Sequence, residues 1–212
     1  MNTEISAQAL ADKQKSMSAD DAIQALIDGN QRFVDNNFSN KYYTQHIEAT
    51  SGGQYPFAAV LSCIDSRVPA EIVFDQGIGD IFSARVAGNV VDMHVLGSLE
   101  YAVAHAGSKA IVVLGHTSCG AVGGACGDLV HGVNLTGLLA AIRPAVKAVS
   151  EETKEAITTD KAFVNKVVNK NVFMTINEML RRSPIINDLV NDGTIKVVPA
   201  VYDVESGNVT FL

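Results

Sequence analysis

Two short apolar runs without a polar break constrain this chain more than any other feature: Phe57-Ala58-Ala59-Val60-Leu61-Ser62 and Ala110-Ile111-Val112-Val113-Leu114. A strand covered on one face alternates apolar with polar residues. A run that is apolar at consecutive positions is the pattern of a strand buried on both faces. Such positions exist where helices cover both sides of a sheet. Ile81-Phe82-Ser83-Ala84-Arg85-Val86 reads as a weaker strand between the two. Ile195-Lys196-Val197-Val198-Pro199-Ala200-Val201 reads as a fourth, and Val209-Thr210-Phe211-Leu212 as an edge strand. Helical periodicity fills the gaps: Leu96, Leu99, Tyr101, Ala102 and Val103 fit a crossover helix ending near Gly107, and Val164, Val168, Val172, Ile176 and Leu180 recur every four residues. The alternation predicts an α/β fold with a mostly parallel sheet of four strands plus an edge strand, flanked by helices through right-handed crossovers.

Ser18-Ala19-Asp20-Asp21 has the form of a capping box, and Ile23, Leu26, Ile27, Phe33 and Val34 follow it at helical spacing. Residues 1–17 are polar and aperiodic and are expected to form an N-terminal helical arm, mobile or docked as a short helix. Residues 18–212 are expected to form one domain, because no repeat, low-complexity tract or linker divides them. A chain of 212 residues can bury a sizeable core without disulfides. With 16 Lys plus Arg against 23 Asp plus Glu, its formal charge of −7 argues against a nucleic-acid or anionic-membrane partner. No apolar run approaches the roughly 18 to 20 residues of a spanning helix. The absence of a secretory apolar stretch makes the cytoplasm the expected location, or the periplasm if a signal peptide has been removed.

The cysteine count of three is odd, so free thiols or metal thiolates are expected rather than a complete disulfide framework. Two segments stand out, each beginning where a buried strand ends: Cys63-Ile64-Asp65-Ser66-Arg67 and Gly115-His116-Thr117-Ser118-Cys119-Gly120. In an open parallel sheet, ligands gather at the carboxyl ends of strands, so both segments point at one crevice. Cys63 and Asp65 share a face of an extended chain. His116 and Cys119 share a face if they occupy a first helical turn. Two thiolates, one imidazole and one oxygen ligand make a tetrahedral shell that favours Zn2+. A single buried cysteine is ordinarily an inert apolar side chain, and His-x-x-Cys arises often by chance, so spacing alone leaves both readings open. Arg67 stands too close behind Cys63 for a thiol-phosphatase loop, and no Cys-x-x-Cys redox motif occurs.

Cys-x-Asp-Ser-Arg followed about fifty residues later by His-x-x-Cys resembles the β-class carbonic anhydrases. The similarity extends to Gly29-Asn30-Gln31-Arg32-Phe33, Val68-Pro69-Ala70-Glu71, Arg85-Val86-Ala87-Gly88-Asn89, Gly97-Ser98-Leu99-Glu100-Tyr101-Ala102 and Ala121-Val122, and covers most of residues 18–205. The resemblance implies a mostly parallel sheet with flanking helices and an obligate homodimer or a dimer of dimers. It also implies reversible hydration of carbon dioxide to bicarbonate and a proton, by attack of zinc-bound hydroxide.

Carried over by motif, Cys63, His116 and Cys119 are zinc ligands, with water or Asp65 in the fourth position. Arg67 would form a bidentate pair with Asp65 and hold it off the metal. Gln54 would donate to a substrate oxygen, as would the backbone N–H of Gly120. Phe82, Ala87 and Tyr101 would line an apolar cleft, partly across the dimer interface, and His105 would shuttle the proton. Some bacterial members carry a tryptophan three residues before the first zinc cysteine, tied to a closed state; Val60 stands there in this chain, which favours an open resting site. Cys126 is expected to be a spare thiol in a helix, and His46, His94 and His131 to be structural or exposed. Two rival readings keep the scaffold: hydrolysis of carbon disulfide or carbonyl sulfide, and a non-catalytic zinc-stabilised binding module.

Overall fold

The computed structural model describes residues 5–39 and 41–212, so Met1–Glu4 of the expected arm lie outside the described residues. The arm begins with helix α1 (Ala7–Ser16), capped by the Ser6 hydroxyl, which accepts from the Ala9 N–H at 3.2 Å. It buries no residue, yet it is docked: the Gln14 amide donates to Pro56 O at 2.7 Å and to Ala106 O at 2.6 Å. Helix α2 (Ala19–Val34) opens on a reciprocal capping box between Ser18 and Asp21. Its buried face is Ala19, Ala22, Leu26, Gly29 and Asn30. Ile27, expected on the same face, is instead 37% exposed.

Helix α3 (Tyr43–Thr50) leads to strand β1 (Ala58–Ser62), short helix α4 (Ala70–Val73) and strand β2 (Ile81–Arg85). After a tight turn at Ala87–Asn89, helix α5 (Met93–Glu100) widens into a π-helical turn, Tyr101–His105. Strand β3 (Ala110–His116), helices α6 (Gly120–Cys126), α7 (Gly132–Thr153), α8 (Lys161–Arg182) and α9 (Pro184–Asn191), and strands β4 (Lys196–Tyr202) and β5 (Val209–Phe211) complete the chain. The strands form one sheet in the order β2-β1-β3-β4-β5, parallel except for the antiparallel edge strand β5. This is the expected α/β architecture. Helix α7 was not anticipated: Pro144 interrupts its pattern, although Leu139, Ile142, Ala145, Val146 and Val149 are buried at helical spacing.

Every residue of β1 and β3 is buried. Successive side chains of a strand point to opposite faces. Accordingly Ala59, Leu61, Ile111 and Val113 pack against the layer of α5 to α8, while Ala58, Val60, Val112 and Leu114 pack against α2 and α4. The exits of the two strands follow suit, β1 leading to α4 on one face and β3 to α6 on the other. Their shared carboxyl end is the switch point of the sheet, where a crevice opens. Close packing on the α8 side depends on Gly115, where an added Cβ would lie 2.6 Å from Val172 Cγ2 and 3.1 Å from Val168 Cγ1.

On the other face, buried Asn30 ties three distant segments together. Its amide donates to Val73 O at 3.0 Å and Gly207 O at 2.9 Å, and its carbonyl accepts from Val209 N at 2.8 Å. Nearby, Asp75 is 3% exposed and pairs with Arg32 at 2.6 Å and Lys41 at 2.8 Å. Burial pushes its carboxyl up, but Lys41, Arg32 and Ser39 outweigh that and hold it at about 2.

Replacing Asn30 with Ala strands three backbone partners on two segments, Val73 of α4 and Gly207 with Val209 at the start of β5, and is expected to cost about 3 kcal/mol of unfolding free energy. Urea denaturation measures this, and a loss under about 1 kcal/mol would contradict the bridging role. Because the folded pKa of Asp75 lies below its unfolded value, its contribution is present above pH ~4 and is lost as pH falls towards 2. The stability advantage of the wild type over Asp75→Asn should therefore be full at pH 7 and shrink steadily below pH 4. A constant difference across that range would refute the assignment.

Candidate metal centre

Strand β1 ends at Ser62, and Cys63 follows directly, 4% exposed. Ser62 pairs with Leu114 in the register, so β3 continues past the end of β1 and carries His116 as its last residue. His116 is thus on a strand and not on a first helical turn, which corrects the expectation from spacing. A turn at Thr117-Ser118 brings Cys119 round to cap helix α6. Ser118 makes that turn in the left-handed region, φ 56°, at a cost of about 1–3 kcal/mol for a residue with a Cβ. Its N–H donates to Asn165 Oδ1 on α8 at 3.0 Å. The result is a group of three buried ligand atoms, from Cys63, His116 and Cys119, all within 4.8 Å of one another.

The histidine shows what the group is built to hold. His116 is fully buried, and its Nδ1 lies 3.0 Å from Thr117 O. A carbonyl accepts only, so Nδ1 carries the proton and Nε2 presents a lone pair. Among the described residues that Nε2 is buried without a hydrogen-bond partner, a state that costs free energy unless something fills it. Two thiols and an imidazole of fixed tautomer are the soft donor set that suits a tetrahedral Zn2+ with one open position. The residues present fit the ion. The thiol of Cys63 is held well below the usual range, chiefly because Cys119 donates a hydrogen bond to its sulfur, against the opposing effect of burial. The backbone N–H of Gly88 adds a second donor, 3.4 Å from that sulfur.

Asp65 stands beside the group but is committed elsewhere. Arg67 donates from Nε to Oδ1 at 2.9 Å and from Nη2 to Oδ2 at 2.8 Å, and its backbone N–H adds a third bond at 3.0 Å. The Arg67 guanidinium holds the carboxyl well below the usual carboxylate range, with burial acting in the opposite direction. Asp65 Oδ2 remains 3.8 Å from His116 Nε2 and outside the converged three. Arg85 braces the same loop, donating to Cys63 O at 3.0 Å and Asp65 O at 2.6 Å. Arg85 and Gly88 carried no role in the sequence reading beyond their place in a motif, and Asn165 none at all. Asn171, which donates to Gly88 O at 2.9 Å, was missed too. Its signal was a polar residue on the apolar stripe of α8, one position before Val172.

The remaining candidates divide into two sets. Ala87 precedes Gly88 in the tight turn, and Gly120 follows Cys119 as the first residue of α6, so both adjoin the centre. Phe82 and Tyr101 do not. Their rings meet edge to face at 6.2 Å and line a separate cleft of about 510 Å³ with Met93, Gly97 and Leu99, away from Cys63, His116 and Cys119. The reason is topological: β2 is an edge strand, and Phe82 packs along α5 on the open side of the sheet. His105 is exposed and stacks on Tyr101 at 5.9 Å, and Gln54 is exposed between α3 and β1. Cys126 is buried in α6 and stands outside the ligand group. His46 is buried with Nδ1 3.0 Å from Ile78 O, whereas His94 and His131 are exposed.

Known proteins share these features. Residues 58–209 match the family described as carbonic anhydrase. Carbonic anhydrase 2 of Mycobacterium tuberculosis (strain ATCC 25618 / H37Rv) is 36% identical over 187 residues, covering 88% of this chain and 89% of that protein. A carbonic anhydrase of Mycolicibacterium smegmatis is 38% identical over 191 residues, covering 89% and 90%. Among solved structures, one of two tetrameric β-carbonic anhydrases from the filamentous ascomycete Sordaria macrospora is similar with a TM-score of 0.71 at 30% identity, over 81% of this chain and 85% of the other. The family match runs from the first residue of β1 into β5 and takes in the whole ligand group. The chain belongs to the β-class carbonic anhydrases.

Proposed function

We propose that the chain performs the reversible hydration of carbon dioxide to bicarbonate and a proton, with Zn2+ held by Cys63, His116 and Cys119. The observation that carries this reading is the buried, unpartnered Nε2 of His116 between two cysteines, next to a carboxylate already engaged by arginine. Bound there, Zn2+ supplies a nucleophile near neutral pH by lowering the pKa of water from about 15.7 towards 7. The protein's own part is orientation. Asp65, ionised and clamped by Arg67, accepts a hydrogen bond from the attacking oxygen and turns its lone pair towards the substrate carbon. Arg67 keeps that carboxylate from closing the fourth position. The Gly120 N–H, at the start of α6, is available to a developing anionic oxygen, and Ala87 contributes apolar wall.

Phe82 and Tyr101 enter this scheme as substrate-cleft residues only from a second subunit, which makes a homodimer or dimer of dimers part of the proposal. The free edge of β2 and the tetrameric Sordaria proteins support it. Gln54 as a donor to substrate and His105 as an exposed proton relay complete it. Replacing His105 with Ala should slow turnover in dilute buffer, with rescue by imidazole; absence of rescue removes it from the scheme.

Stopped-flow hydration of carbon dioxide tests the assignment, with metal content measured on the same sample. The expected result is about one Zn2+ per chain, and loss of both metal and activity in Cys63→Ser. Faster turnover of carbon disulfide than of carbon dioxide would overturn the substrate assignment. Asp65→Asn and Arg67→Leu should each retain zinc while lowering kcat/KM by about 100-fold or more. Two thiolates donate more charge to the ion than imidazoles do, so the rate should rise between pH 6 and 9. A flat profile at constant ionic strength would count against the mechanism.

A further inference from the structure

Helix α8 contributes no ligand atom to the centre, yet one of its side chains reaches the His116–Cys119 loop and another reaches the Gly88 turn, whose N–H points at Cys63 Sγ. Asn165 Oδ1 accepts the N–H of Ser118, the left-handed residue between His116 and Cys119. Six residues later, Asn171 Nδ2 donates to Gly88 O, and Gly88 in turn directs its N–H at Cys63 Sγ. Gly88 itself lies at φ 69°, and an added Cβ would meet Ile142 Cδ1 at 2.5 Å, so a side chain there would be strained and crowded. Asn171 is 3% exposed among Val167, Val168 and Val172, where an aliphatic residue would pack without a polar cost. Its amide sits in an apolar layer, and its bond to Gly88 O serves the turn beside the Cys63 sulfur.

We propose that Asn165 and Asn171 are positioning residues for the metal centre, which α8 clamps from outside the ligand set. Asn171 fixes the N–H that withdraws electron density from the Cys63 sulfur. Asn165 holds the turn that sets the separation of His116 from Cys119. The inference rests on the zinc reading above and deepens it. Hydrogen bonds to ligand sulfur tune its donor strength, and loss of such outer partners typically weakens metal sites about 10–100-fold.

The test uses the full-length protein loaded with Zn2+ or Co2+, comparing Asn171→Leu, Asn165→Leu, Asn165→Asp and Asn30→Ala. The last is a control destabilised on the far face of the sheet. Release of Zn2+ to excess chelator should be about 10–100-fold faster in both leucine variants. In the Co2+ form of Asn171→Leu, the thiolate-to-metal absorption should move to longer wavelength, because a sulfur freed of its N–H donor gives up charge more readily. Asn165→Asp keeps an acceptor for Ser118 and should behave as wild type, as should Asn30→Ala. Folded leucine variants with wild-type release and spectra would overturn the proposal, and so would equally fast release from Asn30→Ala. If Asn171→Leu does not fold, the Asn165 pair decides: release as fast from the aspartate as from the leucine refutes the clamp. A wild-type chain that takes up neither metal would overturn the zinc reading itself.

Discussion

Crowding two thiols and an imidazole into a space where all three atoms lie within 4.8 Å is the demand the rest of the structure has to meet. Left alone, the donors would strand one another, since each is buried and packed against the other two. The fold meets the demand by building outward from rigid parts. Cys63 and His116 leave adjacent strands that are buried on both faces and therefore fixed in register. Cys119 is delivered by a turn whose backbone conformation is unfavourable on its own and is held by a side chain from a third element.

A second layer of contacts decides where the Asp65 carboxylate stands relative to the three donors. Two arginines divide that work by geometry. Arg67 grips the Asp65 carboxylate with a matched pair of N–H groups, whereas Arg85 takes the carbonyls of Cys63 and Asp65 and so fixes the main chain beneath. The planar, forked guanidinium suits both tasks, and a lysine at either place would supply charge without direction.

Sequence and structure agree where the information is local. The double burial of β1 and β3 was written in consecutive apolar residues, and the capping box at Ser18 in a four-residue pattern. The ligand group was legible because its members follow directly on the strands. Other features depended on distance. Spacing placed His116 and Cys119 on one helical turn, because a left-handed Ser118 leaves no trace in a chain that has no glycine there. The separation of Phe82 and Tyr101 from the metal centre follows from strand order, which periodicity does not encode. Helix α7 was hidden by Pro144, and the asparagines of α8 by the apolar stripe of valines they sit beside.

Helix α8 can serve a centre it does not ligate because of what β3 lacks at one position. An asparagine side chain is short, and it reaches backbone only where two elements nearly touch. Gly115 permits that contact, its absent methyl group leaving room for Val168 and Val172. The geometry of the centre therefore has a fulcrum at a residue with no functional group of its own. One added carbon there would act as a wedge, lifting the helix and slackening both arms of the clamp together.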